Sequence, residues 1–379
     1  EPYRRQRQMC IRDRDMKYLK KWYAMLCLLL GAGMITSCGM MEDDRSDCPT
    51  GLYVSFKYDY NLQRADMFGD HVGGVTLYVF DEAGKLVRVQ EEGNTPIARP
   101  LAAVDYKMHL SGLQPGKYQF LALAGQKSYS DMMATARPHF VRSDMTAGSP
   151  MDALTIRLDR EQQPDGTFLI QHHNQPLDTL WHGMHTELVE VFAEKPTYAC
   201  VPLVRDTKKI NVSLREIDDP SKMDVANYEM KIIDRNSVIK WNNELDETET
   251  VVYTPHATWN TDDRTNVILP DGTQEMVIGK MAHADFMTSR LIYHSQPADD
   301  AVLTVKNLRT GVEVAHLNVP DILSRLRISE ELYAYTPQEF LDRGYDYKLE
   351  LFLIGDRLAY LNISISVLGW SKRIQFEDL

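Results

Sequence analysis

The sequence is poor in cysteine and lacks the short motifs that mark common enzymes. It contains only five cysteines in 379 residues, and three of them are Cys10, Cys27 and Cys38. This scarcity excludes a disulfide-rich scaffold and a multi-cysteine metal site. Also absent are Gly-x-Ser-x-Gly, a glycine-rich phosphate loop, His-Glu-x-x-His and Cys-x-x-Cys. The sequence therefore predicts no enzymatic function.

Basic residues and long apolar runs are scarce as well. Lys and Arg number 42 against 54 Asp and Glu, which gives a net charge of −12. Nucleic acids and anionic headgroups require basic surfaces, so we expect no nucleic acid as a partner. The sustained apolar run Trp22 to Met34 is shorter than the roughly 20 residues that a membrane-spanning helix needs.

The residues around that apolar run are typical of a bacterial lipoprotein signal. Met16 to Lys21 forms a basic start, and Ile35-Thr36-Ser37-Cys38 resembles a lipobox, in which the Cys38 thiol receives a diacylglycerol and becomes the N-terminus. We therefore predict a signal peptide over residues 16–37, with an ordinary secretory signal as the alternative. Cleavage would remove eight basic and three acidic side chains, so the net charge would become −17.

The segments on either side of the signal lead to two further expectations. Residues 1–15 resemble translated sequencing-adaptor DNA, so Met16 is the expected start, and a disordered basic extension is the alternative. Residues 38–48 are predicted to be an acidic, flexible tether. Its Glu42-Asp43-Asp44 cluster resembles the surface-export signal of Bacteroidetes lipoproteins. The predicted location is the outer membrane, lipid-anchored and surface-exposed.

From residue 51 onward, apolar and polar residues alternate with a period of two, which is typical of half-buried strands. The predicted strands include 52–58, 75–80, 118–123, 210–214, 301–305, 347–354 and 358–368. Asp81 to Lys85 predicts a hairpin turn, and short helices are predicted only over 128–135, 320–326 and 336–342. Many short strands and few helices predict an all-β fold of two tandem β-sandwiches. A charged break at 204–207 places their boundary, giving domains at 49–204 and 205–379.

Few side chains suggest a binding site. Cys48 and Cys200 remain for one disulfide in an oxidising envelope, and two buried thiols are the alternative. Neutral imidazoles are good zinc ligands, but Pro176 and Gly183 interrupt the histidine group, so we predict loop and strand-edge roles and neither a metal nor a cofactor. The histidines concerned are His172, His173, His182 and His185.

Motifs at both ends of the chain suggest a family. Asp47 to Leu52 leads into Val54 to Asn61, and Val75 to Asp81 follows. Near the other end come Gln338 to Arg343 and Tyr345 to Leu353. In this order behind a lipobox, the motifs resemble the FimB-type fimbrial anchor lipoproteins of Bacteroidales, a fimbrillin-like family.

The resemblance implies transthyretin-like Greek-key sandwiches, an outer-membrane lipid anchor, and a position at the base of a fimbrium. Subunits of such polymers join by strand exchange, so the implied partner is a fimbrial stalk subunit. A Cys48–Cys200 bond would hold the first strand, Leu52 to Tyr58, and so limit polymer growth. Alternatives are a fimbrial tip or adhesin subunit, and a glycan-binding surface lipoprotein of a nutrient-uptake system. The candidate donor strand contains Leu358, Tyr360, Leu361, Ile363, Ile365 and Val367, and the residues up to Leu379 are taken as its tail.

Overall fold

The computed structural model describes residues 50–135, 137–268, 272–367 and 370–377. Strands dominate this part of the chain, so the predicted all-β fold class is confirmed. In chain order the strands are β1 (Gly51–Lys57), β2 (Gly74–Asp81), β3 (Leu86–Gly93), β4 (Met108–Leu110), β5 (Gly116–Gly125), β6 (Phe140–Arg142), β7 (Thr155–Leu158), β8 (Arg160–Gln162), β9 (Phe168–Ile170), β10 (Trp181–Val191), β11 (Pro196–Arg205), β12 (Lys208–Glu216), β13 (Tyr228–Asp234), β14 (Val238–Lys240), β15 (Val251–Tyr253), β16 (Ala257–Ile268), β17 (Gln274–Thr288), β18 (Val302–Asn307), β19 (Glu313–Asn318), β20 (Asp346–Ile354), β21 (Arg357–Val367) and β22 (Trp370–Glu377).

The helices are short and lie where turn and capping residues permit them. They are α1 (Phe68–His71), α2 (Tyr129–Thr135), α3 (Val319–Ser324), α4 (Glu330–Tyr333) and α5 (Pro337–Arg343). The three predicted helices correspond to α2, α3 and α5. The Asn318 side chain caps α3 and the Thr336 side chain caps α5, each with a proline in the first turn. Across the described ranges, every helix is too short or too polar to cross a membrane.

A seven-stranded sheet, ordered β3-β2-β5-β10-β11-β1-β4, forms the first half of the molecule. Side chains bridge its two outermost strands: Arg88 and Gln90 of β3 donate to the carbonyl oxygens of Ser111 (2.6 Å) and His109 (3.1 Å). The sheet therefore curls around its own core. That inner core includes Leu52, Val54, Phe56, Leu77, Phe120 and Trp181.

Two six-stranded sheets face each other in the second half. Their orders are β16-β17-β12-β20-β21-β22 and β19-β18-β13-β15-β9-β8, and a small sheet, β14-β7-β6, lies beside them. Alternate residues of the facing strands point inward and are buried together, among them Val212, Phe286, Leu351, Ile232 and Leu303. The arrangement is a sandwich of two sheets.

The chain crosses between the halves before the predicted boundary. β6 to β9, residues 140–170, leave the first sheet and pair with strands beyond residue 205: β7 with β14, and β9 with β15. β11 ends at Arg205 and β12 begins at Lys208, which coincides with the charged break in the sequence. β8 and β9 thus belong to a sheet of the second sandwich, and β6 and β7 belong to the small sheet beside it. The division at 204/205 remains a prediction.

The outer face of the first sheet contributes to the core of the second half. Phe80 of β2 and Leu123 of β5 point away from the inner core and belong to one continuous buried cluster with Ile156, Ile210 and Leu303. Apolar burial of this kind contributes about 25 cal/mol for each Å² removed from water. The two halves therefore share part of their stabilising core.

Candidate strand-exchange site

The predicted donor strand lies inside a sheet. β21 pairs with β20 from Tyr347↔Ile365 to Ile354↔Arg357, and with β22 from Tyr360↔Glu377 to Val367↔Trp370. Both hydrogen-bonding edges of β21 are therefore occupied. The residues after the donor were expected to form its tail, whereas residues 370–377 form β22, the edge strand of the sheet.

The side chains of β21 bind it firmly to the sandwich. Leu361, Ile363 and Ile365 are fully buried between the two sheets, and Leu358 packs against the same core. Each such buried aliphatic side chain contributes about 1.5–3 kcal/mol. Tyr360 faces the other way and stacks on Phe352 with 4.2 Å between ring centroids. The side chain of Val367 lies outside the described residues.

The edge strand β22 is held on one side only. Its backbone pairs with β21 over eight residue positions, and no described strand lies beyond it. Departure of β22 would break one ladder and leave the Tyr360–Val367 backbone open to a new strand. Departure of β21 would break two ladders and remove three side chains from the core. Strand exchange at this edge therefore costs least when β22 is the strand that moves.

A buried lysine fixes the connection between the two halves. Lys208 is completely buried, and its Nζ donates to the carbonyl oxygens of Leu341 (2.6 Å), Gly344 (2.9 Å), Arg205 (3.3 Å) and Asp342 (3.3 Å). These acceptors replace the water that a buried ammonium loses. Burial nevertheless lowers the pKa of Lys208 from its ordinary value. The side chain joins the end of β11, the start of β12 and the end of α5.

The buried carboxylate of Asp342 and the half-buried guanidinium of Arg290 support the same connection. Asp342 accepts hydrogen bonds from Nε and Nη2 of Arg290 at 2.9 and 2.8 Å, and from Gln338 at 3.0 Å. Burial raises the pKa of Asp342, but the charge and hydrogen bonds of Arg290 outweigh it, so the pKa lies below its usual value. Asp206 accepts a hydrogen bond from Asn243 at 3.2 Å, and burial raises its pKa.

Two arginines stack on aromatic rings at this junction. The Arg205 guanidinium lies 4.0 Å from the ring centroid of Tyr345 and 5.5 Å from that of Trp181. The Arg343 guanidinium lies 4.0 Å from the ring centroid of Tyr60, in the first half. Desolvated cation–π contacts contribute about 2 kcal/mol. Sequence reasoning took residues 204–207 only as a charged break between domains and missed this cluster. The one available signal was the run of charges between two strands.

The first strand is enclosed on both sides. β1 pairs in parallel with β11 over its whole length and antiparallel with β4 at Leu52 to Val54. Leu52, Val54 and Phe56 are buried in the inner core. The period-two pattern of residues 52–58 therefore predicted the strand and its buried face correctly. Loss of β1 would open a long groove between β11 and β4.

The cysteine predictions fall largely outside the described part of the chain. Cys38, the predicted lipidation site, and Cys48 both lie before residue 50. Cys200 is half-buried on β11, in register with Ser55 of β1. The described chain begins at Thr50, whose carbonyl oxygen accepts a hydrogen bond from His109 Nε2 at 3.0 Å. Lipidation and the Cys48–Cys200 bond remain predictions.

The histidine group of residues 172–185 is spread over separate contacts. Within the described ranges, no three His, Cys, Asp or Glu side chains are grouped as a metal site. His182 is completely buried, and burial lowers its pKa to about 4. The hydrogen-bonding partners are the Thr254 hydroxyl for His172 (3.0 Å), Asp159 for His173 (3.4 Å), the Trp241 carbonyl for His182 (2.9 Å) and the Glu187 carbonyl for His185 (3.0 Å).

Solved structures from Bacteroidales share this architecture. A candidate adhesin from Bacteroides thetaiotaomicron is 26% identical, with a TM-score of 0.67 over 86% of this chain and 98% of that one. A candidate polysaccharide-binding protein from the same organism is also 26% identical, with a TM-score of 0.65 over 86% and 99%. The fimbrial anchor protein Mfa2 from Porphyromonas gingivalis, at 16% identity and a TM-score of 0.56 over 86% and 99%, shares the fold. None of the curated proteins matches.

These findings define the class as a fimbria-associated surface protein. The family model of the fimbrillin-A associated anchor proteins Mfa1 and Mfa2 matches residues 45–376. The chain belongs to that family, which confirms the resemblance to fimbrial anchor proteins seen in the sequence. The family also associates the protein with the cell surface or outer membrane, and with fimbrial subunits as partners.

Proposed function

We propose that this chain is a structural, non-enzymatic subunit that holds the base of a surface fimbrium in the outer membrane. A diacylglycerol on Cys38 forms the membrane attachment, and residues 38–48 connect it to β1. The observation that carries the proposal is the β21–β22 hairpin at the edge of the sheet that also contains β12 and β20. Its edge strand, β22, is bound to the sheet by a single ladder of backbone hydrogen bonds. The family match to anchor proteins supports the same role.

Strand exchange with a stalk subunit takes place at this hairpin in our proposal. β22 leaves its edge position, and a strand of the stalk subunit pairs with β21 from Tyr360 to Val367. Backbone hydrogen bonds supply affinity, and the alternating side chains set the register. The predicted donor, Leu358 to Val367, stays in the sandwich because Leu361, Ile363 and Ile365 hold it there. The exchanged segment is thus the strand after the one chosen from sequence.

The first strand limits polymer growth in the same scheme. β1 is paired on both sides and fills the inner core, so its groove is closed to another subunit. A Cys48–Cys200 disulfide would attach the chain before β1 to β11 and prevent its expulsion. Non-reducing peptide mass mapping of the secreted protein tests the bond directly. Detection of both cysteines as thiols would remove this part of the proposal.

Substitution of the lipidated cysteine tests the anchoring role. In cells that carry Cys38→Ser as the only copy, we expect loss of palmitate labelling, release of the protein from the membrane fraction and shedding of fimbriae into the medium. Cys27→Ser is the matched control, because Cys27 lies in the predicted signal peptide and the change keeps the lipid site. Retention of Cys38→Ser in the outer membrane with cell-attached fimbriae would contradict the proposal.

A further inference from the structure

The sheet β16-β17-β12-β20-β21-β22 carries a row of side chains on its outer face, which extends from the edge strand β16 to the proposed exchange strand β21. Residues that alternate with the core positions face outward. Cross-strand register joins Trp259 to His283, His283 to Ser213, Ser213 to Glu350, and Glu350 to Asn362. The row therefore runs across five strands, about 19 Å at the usual spacing of neighbouring strands.

An indole ring stands at one end of this row. Trp259 lies on β16, an edge strand, and is 38% exposed. One face of its ring stacks on the His283 imidazole, with 5.1 Å between centroids and 13° between planes. The Thr261 hydroxyl lies 2.7 Å from Nε2 of His283 and fixes that imidazole. The indole is thus held rigidly while much of its apolar surface remains open to solvent.

A second aromatic stack stands near the other end. Tyr360 of β21 is half-buried and lies over Phe352 of β20, with 14° between the ring planes. The two stacks lie on opposite sides of the polar centre of the row. Their separation across the sheet exceeds the size of one sugar ring, so a ligand that contacts both stacks must be an extended chain.

Amide and carboxylate groups fill the space between the stacks. Asn362 Nδ2 donates to Glu350 Oε2 at 3.2 Å, and in the next row Asn211 Nδ2 donates to Asp285 Oδ1 at 2.6 Å. Asn362 is only 2% exposed, and its Oδ1 has no hydrogen-bond partner among the described residues. Asn362 is thus too deeply buried to contact a ligand itself, and its amide instead positions the half-buried Glu350 carboxylate.

Among the described side chains, this face has no excess of positive charge. The basic side chains of Lys209, Arg215 and Lys348 are matched by the acidic side chains of Asp263, Asp285, Asp346 and Glu350. Such a face gives no attraction for an anionic polymer, in a chain whose net charge is −12. A protein partner would call for a larger apolar centre than two separated ring stacks. Small molecules prefer concave pockets, whereas this surface is a sheet face.

We propose that the outer face of the sheet β16-β17-β12-β20-β21-β22 binds a neutral polysaccharide chain. The Trp259 indole packs against the C–H face of one sugar ring, the Glu350 carboxylate held by Asn362 accepts hydrogen bonds from hydroxyl groups, and Tyr360 contacts a ring further along. Aromatic rings suit this role because they combine apolar faces with rigid placement. The binding site is separate from the lipid attachment but shares β21 with the proposed exchange edge. Glycan binding is measured on the isolated chain, so its failure is distinguishable from a failure of anchoring.

Affinity electrophoresis of the purified full-length chain tests the site. The probes are amylose, dextran, laminarin, yeast mannan and xylan, with heparin as the anionic comparison. We expect at least one neutral polymer to retard the protein, a loss of affinity of tenfold or more in Trp259→Ala, and a smaller loss in Trp259→Tyr, which keeps a ring. Glu350→Gln should weaken binding about threefold to tenfold.

Tyr198→Ala is the matched control, because Tyr198 is 60% exposed on the first sheet, away from this face. It should bind as the unaltered protein does. The proposal is overturned if none of the five neutral polymers binds, if Tyr198→Ala weakens binding as much as Trp259→Ala, or if heparin binds best. Circular dichroism of each variant establishes that it is folded, and Trp259→Tyr with Glu350→Gln decides the outcome if Trp259→Ala does not fold.

Discussion

At the scale of single residues, the buried charges at the junction are the most sensitive positions. Lys208→Met would remove the ammonium and leave carbonyl oxygens that now accept its hydrogen bonds, including those of Leu341 and Gly344, without donors. Breaking a buried ionic network in this way costs about 3–5 kcal/mol. We expect the free energy of unfolding, measured in urea, to fall by that amount.

The neighbouring lysine supplies the control for this prediction. Lys209 is exposed on the outer face of the same strand, so Lys209→Met should change the free energy of unfolding by less than about 0.5 kcal/mol. Equal effects of the two substitutions would mean that the burial of Lys208 is not the cause of the loss in unfolding free energy. A stable Lys208→Met variant would show that the carbonyl groups find other donors.

The buried imidazole of His182 predicts a dependence of stability on pH. Burial lowers the pKa of His182 to about 4, whereas an unfolded chain protonates histidine near pH 6.5. Stability from this group is therefore fully present above pH 6.5 and is lost as the pH falls from 6.5 to 4. The loss amounts to about 3 kcal/mol. In His182→Gln, which keeps a donor to the Trp241 carbonyl, this part of the pH profile should disappear.

The measurement is the difference in unfolding free energy between the unaltered chain and His182→Gln at several pH values. A difference profile is needed because burial also raises the pKa of Asp234 to about 7, which lowers stability as the pH rises from about 4 to 7. His316→Gln is the control, because His316 is largely exposed. A flat difference between pH 4 and 6.5 would refute the assignment.

At the scale of elements, β22 is predicted to be replaceable. Removal of residues 368–379 should leave the sandwich folded, because Leu361, Ile363 and Ile365 keep β21 in place. Amide exchange from Tyr360 to Val367 should accelerate, since one neighbouring strand is gone. A synthetic peptide of residues 368–379 should bind the truncated chain and restore protection. The measurement is hydrogen exchange read by mass spectrometry.

A scrambled peptide of the same composition controls for non-specific pairing with an exposed edge. It should restore little protection between Tyr360 and Val367. If the truncated chain is unfolded, or if native and scrambled peptides act alike, β22 is an integral part of the sheet and exchange does not begin there.

The positions of most strands and of one hairpin turn could be predicted from the sequence. Alternation predicted β1, β2, β5, β12, β20 and β21, and the Asp81–Lys85 turn is confirmed, with Gly84 at φ +71° and Asp81 Oδ1 accepting from the amide of Ala83. These features are local, so a short window of sequence contains their cause. β22 was missed because residues 370–379 were treated as the tail of the donor rather than as a strand.

Strand pairing is harder to predict than strand position. β1 pairs with β11, and β12 with β20, each in parallel and more than a hundred residues apart. Such pairings depend on loop lengths and on which apolar faces pack together. The alternation within one strand carries no information on either. For the same reason, the sequence did not predict that residues 140–170 leave the first sheet and pair in the second half of the molecule. The junction cluster was missed because a charged run is usually exposed.

At the scale of the whole molecule, the shared core predicts that the two halves unfold together. Leu123 of the first sheet is buried against the second half, in one cluster with Ile210 and Leu303. Leu123→Ala should therefore lower the free energy of unfolding by about 2–5 kcal/mol for both halves. The exposed Val87 on β3 of the same sheet gives the control, Val87→Ala, with little expected effect. The measurement is hydrogen exchange in rising urea, followed separately in β5 and β20.

In the unaltered chain, β5 and β20 should lose protection at the same urea concentration, because a two-state unit has one transition. Leu123→Ala should shift both transitions equally. A shift confined to β5 would mean that the sheets are stabilised separately and that the contacts of Lys208 and Arg343 only hold two independent bodies together. A common shift would make the molecule one mechanical unit, so that a load on the β21–β22 edge would reach β1 through a continuous packed core rather than through a flexible joint.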